Sequence, residues 1–513
     1  MRKIVLLTML AAISYISSAQ NDDTVERYRQ AVKDAKASYE QFRSQALNSY
    51  EEFRKKASED YAAFLEQAWE SMKVSPAPKK PTPDPPTQPA VPKYESDNMP
   101  SEQIDGNNFA SNNIKTENKP VSSPTILNYN KISERPTAPP QPQPTVPIKE
   151  PITLRHKELQ FDYFGTTLSV RLDTTTRPVH VASSEESSIT AAWKEASDGR
   201  YDILLSDCLK LRKELNLCDW GYYMLLRKIS KAYYGSDNSN DAKLLQTLLL
   251  TYSGYKLRLS RAEGKIFIML PSEQEVYEKY IEIDGERFYF LDDDFKGGSF
   301  YVSQAKFNGE QGFSLIMTKH PKLKSHTEKS RNYTSKRYGV SLTYSPNKNL
   351  IDFYDSYPSC SWQIYANAKF SDEAKAAIYP VLRQTIAGKS EIEAANILID
   401  FVQTSLDYKT DNEQFGDERS LFAEESLYYP FCDCEDRAIL FTTLVRDLLG
   451  LKTALLYYPG HLAAAVKFNE TVSGDYLTIE NSRYTVCDPT YIGASVGMTM
   501  PTMKNQTVEV TLL

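Results

Sequence analysis

The chain has 513 residues, of which 41% are hydrophobic and 25% charged, and its formal net charge is -7. This composition fits a soluble globular protein of two or three domains with a sizeable core. The small negative charge and the lack of any basic tract in the sequence argue against nucleic-acid binding.

Residues 1–19 have the pattern of a secretory signal. Arg2 and Lys3 give a positive start, residues 5–16 are mostly apolar, and residues 17–19 are small, as a cleavage site requires. Cleavage after residue 19 predicts an exported protein, periplasmic or secreted, that is soluble once the signal is removed. The apolar run is short for a membrane span, and an uncleaved membrane anchor is the alternative.

Residues 23–73 carry an eleven-residue repeat of aromatic residues and alanine. Eleven residues span about three helical turns, so the repeated side chains share one stripe of a long amphipathic helix or helical hairpin. A lone helix cannot bury such a stripe, which must meet the body of the protein, a second copy in a coiled coil, or an envelope partner. The repeated residues are Tyr28, Tyr39, Tyr50 and Tyr61, Ala35, Ala46, Ala57 and Ala68, and Phe42, Phe53 and Phe64.

Residues 74–151 differ sharply in composition from the segment before them. They hold 18 of the 28 prolines, together with many polar residues and few large apolar ones. Such a segment buries too little surface to fold, and proline keeps it extended. We therefore predict a disordered linker.

Residues 153–365 are predicted to form an α+β accessory domain. Alternating apolar residues over 159–172 predict a hairpin, and helical periodicity follows in three segments. The Ala262-Glu263-Gly264 turn predicts a second hairpin, in which Leu257 and Leu259 pair with residues 266–270. The three helical segments are 188–215, 219–234 and 240–252.

Residues 366–513 form the last predicted domain, which contains the one segment with catalytic character. After helical patterns at 372–388 and 390–408, the sequence Phe-Cys-Asp-Cys-Glu-Asp-Arg-Ala at 431–438 leads into an amphipathic helix that Gly450 ends. Cys434 therefore lies in or just before the first turn of a buried helix. Free backbone N–H groups and the helix dipole favour a thiolate there.

Strands are predicted after this helix, and they carry His461 and Asp488. His461 opens the second strand after a Pro-Gly turn and points away from Leu462, Ala464 and Val466. Asp488 follows the last strand. If these two strands pair, His461 can serve as general base toward Cys434, with Asp488 orienting its imidazole.

These segments resemble the transglutaminase-like superfamily. The sequence Cys-Glu-Asp-Arg-Ala from Cys434 resembles its nucleophile segment, and Pro-Gly-His-Leu and Cys-Asp-Pro-Thr-Tyr resemble its histidine and aspartate segments. The resemblance covers roughly residues 370–500. It implies a papain-like fold, in which a helix carrying the nucleophile packs on an antiparallel sheet carrying His461 and Asp488.

The family pattern also selects among nearby residues. It has an Asp two positions and an Ala four positions after the nucleophile, which favours Cys434 over Cys432. It implies that Asp436 supports the helix start. It also implies that an upstream side chain, here Tyr428 or Tyr429, joins the Cys434 N–H in binding the oxyanion.

Two further assignments stay open in the sequence. Cys432 and Cys487 flank catalytic candidates and would either form a disulfide after export or remain two separate thiols. A Cys–His–Asp site forms a thioester, which water or an amine then attacks.

Peptide or amide hydrolysis is favoured over protein cross-linking by the resemblance to exported bacterial relatives, and because no acceptor channel for an amine is evident. A catalytically silent envelope scaffold is the third interpretation. The expected partner is a peptide or protein substrate, and no metal or organic cofactor is implied.

Overall fold

A computed structural model describes residues 22–67, 69–83, 88–91, 124–146, 156–174, 177–291 and 299–513. Within these ranges the protein has a mixed α+β architecture, as predicted from the sequence. The predicted signal segment, residues 1–19, lies outside the described residues. None of the described helices combines the length and the apolar character that a membrane crossing requires.

The repeat segment forms one helix, α1 (Asp22–Gln67), and not a hairpin. It ends earlier than predicted, because Trp69–Lys73 forms the strand β1. Its last turns meet the body of the protein, where Tyr61 packs on Trp193 with ring centroids 4.6 Å apart. The stripe is otherwise open where its side chains are described, since Tyr39 is 57% exposed.

The accessory region combines four helices with a six-stranded sheet. The helices are α2 (Glu186–Ala196), α3 (Asp202–Glu214), α4 (Asp219–Tyr234) and α5 (Asn240–Tyr252). The remaining strands of the sheet are β5 (Arg258–Ala262), β6 (Lys265–Pro271), β7 (Tyr280–Ile283), β8 (Glu286–Phe290) and β9 (Ser299–Ser303), in the order β1-β9-β5-β6-β8-β7. Both predicted hairpins are present, one as β5 with β6 and the other as a separate pair, β3 (His156–Tyr163) with β4 (Thr166–Asp173).

The C-terminal region builds a second six-stranded sheet. Its strands are β2 (Tyr129–Ser133), β14 (Lys452–Tyr458), β15 (His461–Lys467), β16 (Tyr476–Ile479), β17 (Ser482–Cys487) and β18 (Val508–Leu512), in the order β16-β17-β15-β14-β18-β2. All neighbours in this sheet are antiparallel except β18 and β2.

Several shorter elements lead from the accessory sheet to this C-terminal sheet. They are β10 (Arg331–Thr334), β11 (Ser341–Tyr344), α6 (Lys348–Asp355), α7 (Trp362–Asn367), α8 (Asp372–Ile386), α9 (Glu391–Ser405), β12 (Asp407–Tyr408), α10 (Asp411–Gln414), a 3-10 turn (Glu425–Leu427), β13 (Phe431–Cys432) and α11 (Cys434–Leu449). The predicted boundary at residues 365–366 falls inside α7. A single cluster of buried apolar residues runs from Tyr61 to Leu513 and joins the accessory and C-terminal regions.

The helix α11 packs on one face of the C-terminal sheet. Leu462, Ala464 and Val466 of β15 belong to the core that contains α11. The intervening Ala463 and Ala465 face a second cluster on the other side. This alternation agrees with the predicted strand and leaves His461 on the side of Ala463.

The prediction of a disordered linker over residues 74–151 is wrong for the parts that the structure describes. Residues 129–133 form β2 of the C-terminal sheet, and Val91, Leu127 and Val146 are buried. These described parts take hydrogen-bond partners and apolar contacts from the folded body. Residues 84–87, 92–123 and 147–151 lie outside the described residues.

Candidate active site

Cys434 is the first residue of α11 and is fully buried, with 0% of its surface exposed. Its position at the N-terminus of the helix places the thiol near the backbone N–H groups of the first turn and the positive end of the helix dipole. The N–H of Leu462 also points at the sulfur, with 3.4 Å between N and Sγ. These donors favour the thiolate form that a nucleophile requires.

Two other groups contact the Cys434 sulfur. The thiol donates a hydrogen bond to the backbone carbonyl of Pro83, with 3.1 Å between Sγ and O. The neighbouring Glu435 carboxylate lies 3.5 Å from Sγ. Pro83 belongs to the proline-rich segment, so residues some 350 positions apart in the chain meet at this sulfur.

His461 and Asp488 form a buried pair at the start of β15, and no hydrogen bond joins His461 to Cys434 among the described residues. Strand β15 begins at His461 and pairs with β17, which ends just before Asp488. The His461 Nε2 atom lies 2.8 Å from Asp488 Oδ2, and the two side chains are 1% and 3% exposed. The other ring nitrogen, Nδ1, is buried and has no hydrogen-bond partner among the described residues. In a neutral ring with Nε2 protonated toward Asp488, Nδ1 carries the lone pair that can accept a proton.

The Asp488 carboxylate is fixed by its own loop. Its Oδ1 accepts hydrogen bonds from the N–H groups of Thr490 and Tyr491, at 3.0 and 3.1 Å. These bonds fix the orientation of the carboxylate and leave Oδ2 for His461. The prediction that paired strands would bring His461 and Asp488 together agrees with this geometry.

Gln403 on α9 holds this loop, a role that its sequence context does not indicate. Its side-chain nitrogen donates to the carbonyls of Asp488, Tyr491 and Ala494, at 3.0, 2.8 and 3.1 Å. Its side-chain oxygen accepts from the Gly493 N–H at 3.2 Å. A glutamine in a helical pattern gives no local signal of such a role, because its partners lie some 90 positions further along the chain.

Arg437 links the same helix to the nucleophile helix. It is fully buried, and its guanidinium donates to the carbonyls of Gln403 and Leu406 at the end of α9. The arginine of the Cys-Glu-Asp-Arg-Ala segment therefore joins the start of α11 to the helix that supports Asp488.

Cys432 and Cys434 lie in different environments. Cys432 lies in β13, where its thiol faces the carbonyl of Asp407, and burial raises its pKa to about 11. The thiol of Cys487 faces the carbonyl of Thr485, and burial raises its pKa as well. All six cysteines are buried, and none of them, including this pair, forms a disulfide in the structure.

Asp436 lies where the resemblance implied, at the start of α11. Its carboxylate accepts hydrogen bonds from the N–H groups of Asp433 and Leu421, at 3.4 and 2.8 Å. It therefore caps the helix and ties the preceding loop to it.

The hydroxyl groups of Tyr428 and Tyr429 have partners away from Cys434. Tyr428 donates to the Glu328 carboxylate at 3.1 Å, and the Tyr429 hydroxyl accepts from Arg419 at 3.3 Å. Oxyanion binding by either tyrosine stays a prediction. The Cys434 N–H, at the helix start, is the backbone donor that the position provides.

Buried carboxylates surround the start of α11, and sequence reasoning missed their clustering. Oxygen atoms of Asp411, Glu418 and Glu435, and likewise of Asp411, Asp433 and Asp436, lie within 4.8 Å of one another. Oxygen donors of this kind can hold a hard cation such as Ca²⁺. Ionised carboxylates beside Cys434 oppose thiolate formation, whereas the helix dipole favours it.

Comparison of the chain with known proteins gave no matching protein-family model, no matching curated protein and no matching solved structure.

Proposed function

We propose that this protein is an exported cysteine-dependent acyl-transfer enzyme that hydrolyses peptide or amide bonds, with Cys434 as nucleophile, His461 as general base and Asp488 as the residue that orients His461. In this proposal the C-terminal region is a papain-like fold of the transglutaminase-like kind. The resemblance of three short segments to that superfamily supports the assignment, and so does a helix that starts at the cysteine and packs on a largely antiparallel sheet.

One observation carries the proposal. Asp488 holds the Nε2 side of the His461 ring, while Nδ1 is left buried without a hydrogen-bond partner among the described residues. A buried polar atom without a partner costs about 1–3 kcal/mol, so a purely structural histidine would be expected to satisfy both nitrogens. His461 directly precedes Leu462 in the chain, and the backbone N–H of Leu462 contacts the Cys434 sulfur.

The proposed reaction uses these atoms in two stages. His461 Nδ1 takes the thiol proton, and the Cys434 sulfur attacks the amide carbonyl carbon. The C–N bond breaks as the imidazolium returns the proton to the leaving amine, which leaves a thioester on Cys434. Water, deprotonated by His461, then attacks the thioester and releases a carboxylic acid and the free thiol.

The first test measures the alkylation of Cys434 by iodoacetamide as a function of pH, with mass spectrometry of the Cys434 peptide. An activated thiolate reacts well below the ordinary thiol pKa of about 8.5. We expect His461→Ala to move the profile up to that value. Since burial slows wild type and variant alike, the position of the profile on the pH axis reports the thiolate fraction.

The controls for this test are internal. Cys432 and Cys487, whose pKa values burial raises, should stay unlabelled at neutral pH in both proteins. A profile for Cys434 that matches an ordinary thiol and does not respond to His461→Ala would refute the proposal. Screening peptide substrates with and without added primary amines then separates hydrolysis from amine transfer.

A further inference from the structure

Part of the proline-rich segment lies across the candidate active site. We call residues 75–83 and 88–91 the strap. The Pro83 carbonyl accepts the hydrogen bond from the Cys434 thiol, and three positions earlier the Lys80 ammonium donates to the backbone carbonyl of Glu418. Pro83 is itself buried. The strap is therefore packed against the sulfur itself and not merely near the site.

The strap is attached on both sides of Cys434. On one side, Ser75 exchanges backbone hydrogen bonds with Tyr280 of β7, at 2.8 and 3.3 Å. On the other side, the Val91 N–H donates to the Ile492 carbonyl, and the Ile492 N–H donates to the Pro89 carbonyl, both at 2.8 Å. This second attachment is a short parallel bridge to the loop that begins at Asp488.

Side chains add to the second attachment. Gln88 donates to the Thr490 carbonyl at 3.3 Å. Val91 is 9% exposed and packs in a small apolar cluster with Tyr491, Ala494 and Met500. The strap thus combines main-chain hydrogen bonds with a side-chain pocket, which is how an extended peptide is recognised at a sheet edge or loop.

The strap occupies the site in a pose that does not lead to reaction. The thiol donates a hydrogen bond to the Pro83 carbonyl oxygen, so it contacts the oxygen and not the carbonyl carbon that a nucleophile attacks. Cys434 and His461 are both 0% exposed while the strap is in place. A substrate therefore cannot reach the sulfur in this arrangement.

We infer that the strap is an intramolecular pseudosubstrate: it keeps the enzyme latent, and the substrate is an extended polypeptide that takes the same path once the strap is displaced. This inference rests on the function proposed above. A cavity of about 580 Å³ beside the strap would receive substrate residues on one side of Cys434. Its walls include Lys80 and Thr82 of the strap, Trp362, and Tyr457, which is paired with Leu462 in the sheet.

The test opens the strap in the full-length chain with the double variant Gln88→Ala/Val91→Asp. The second change places a charge in the apolar cluster, and the first removes the bond to Thr490. Val32→Asp is the matched control, since it makes the same exchange at a residue of α1 that is 48% exposed. Two quantities are measured: cleavage within residues 75–91 by a non-specific protease, and the rate of Cys434 alkylation at pH 7.

We expect the double variant to be cleaved within residues 75–91 and to be alkylated at Cys434 at least ten-fold faster than wild type or Val32→Asp. A synthetic peptide of residues 76–91 added to the opened variant should slow alkylation again, and a scrambled peptide should not. Cleavage of the strap without faster alkylation would overturn the inference. Continued protection of the strap from protease in the double variant would also overturn the inference, because the contacts of Gln88 and Val91 would then not be what holds the strap in place.

His461→Ala in the opened background separates this inference from the proposed function. If opening accelerates alkylation but the pH profile is that of an ordinary thiol, with or without His461, the strap covers an unactivated cysteine and the proposed function fails. If the profile is activated but opening has no effect on the rate, the function stands and the strap is not inhibitory.

Discussion

Replacing Gln403 by leucine should weaken the activation of Cys434 without touching any of the three catalytic candidates. The side chain is 3% exposed and satisfies three carbonyls and one N–H of the loop that carries Asp488. Leucine fills a similar volume but offers no hydrogen bonds. The loop groups then lose their partners, and Asp488 loses the support that fixes it against His461.

The size of the effect follows from these four contacts. A buried polar group left without a partner costs about 1–3 kcal/mol. Rearrangement and entering water recover part of that cost, and we expect a net loss of about 3 kcal/mol. Since about 1.4 kcal/mol corresponds to a ten-fold change in an equilibrium, the population with Asp488 aligned would fall by at most about a hundred-fold.

The assay is the pH profile of Cys434 alkylation, measured in the opened Gln88→Ala/Val91→Asp background. This background matters because the same loop holds Ile492, so Gln403→Leu would also loosen the strap and increase access. We expect the profile to move toward the ordinary thiol value of about 8.5. Amide hydrogen exchange over residues 488–494 reports whether the loop has opened.

Gln246→Leu is the matched control for this prediction. Gln246 is also fully buried, and its side-chain nitrogen donates to the carbonyl of Asp237 in the accessory region. It should destabilise the protein and leave the alkylation profile unchanged. If hydrogen exchange shows that the loop opens in Gln403→Leu but the pH profile of Cys434 alkylation stays as in the Gln88→Ala/Val91→Asp parent, the position of Asp488 does not affect Cys434. That result would refute the prediction.

Three further predictions concern other parts of the molecule. Tyr61→Ala should destabilise the body by about 3 kcal/mol, because it empties the space against Trp193, whereas Tyr39→Ala on the open part of α1 should not change the melting temperature. Cys432→Ala should preserve Cys434 alkylation at neutral pH, and a loss equal to that of Cys434→Ala in a peptide-hydrolysis assay would reassign the nucleophile. Burial raises the pKa of Asp219 to about 6. The stabilisation of the folded state by protonation of Asp219 is therefore complete below about pH 4, and up to about 3 kcal/mol of it is lost as the pH rises through 6. Asp219→Asn should flatten this part of the profile of unfolding free energy against pH, measured by denaturant titration.

Around Cys434, local sequence patterns predict the secondary structure but not the contacts between distant residues. The helix start, the strand that opens with His461 and the turn before Asp488 each follow from a few neighbouring residues, because capping, period-two alternation and turn chemistry are local effects. Gln403 and the buried carboxylates were missed because their partners are distant in the chain, so only the packed structure brings them together.

For the proline-rich segment, composition did not predict the contacts with the folded body. Composition indicates that residues 74–151 cannot fold by themselves. Composition does not show whether a folded body offers them partners, and here Tyr280, Cys434 and Ile492 do so. The end of α1 differs from the prediction for a related reason, since pairing with β9 draws Trp69–Lys73 into a strand.

By itself the sequence determined the α+β class, the long repeat helix and the residue types of a Cys–His–Asp site, because each depends on periodicity or on a short motif. Only the tertiary structure decided that His461 keeps one nitrogen unused, that Gln403 fixes the Asp488 loop, and that Pro83 covers the Cys434 sulfur. These contacts join residues up to about 350 positions apart. Patterns over a few neighbouring residues carry no information about which distant residues will meet in the folded protein.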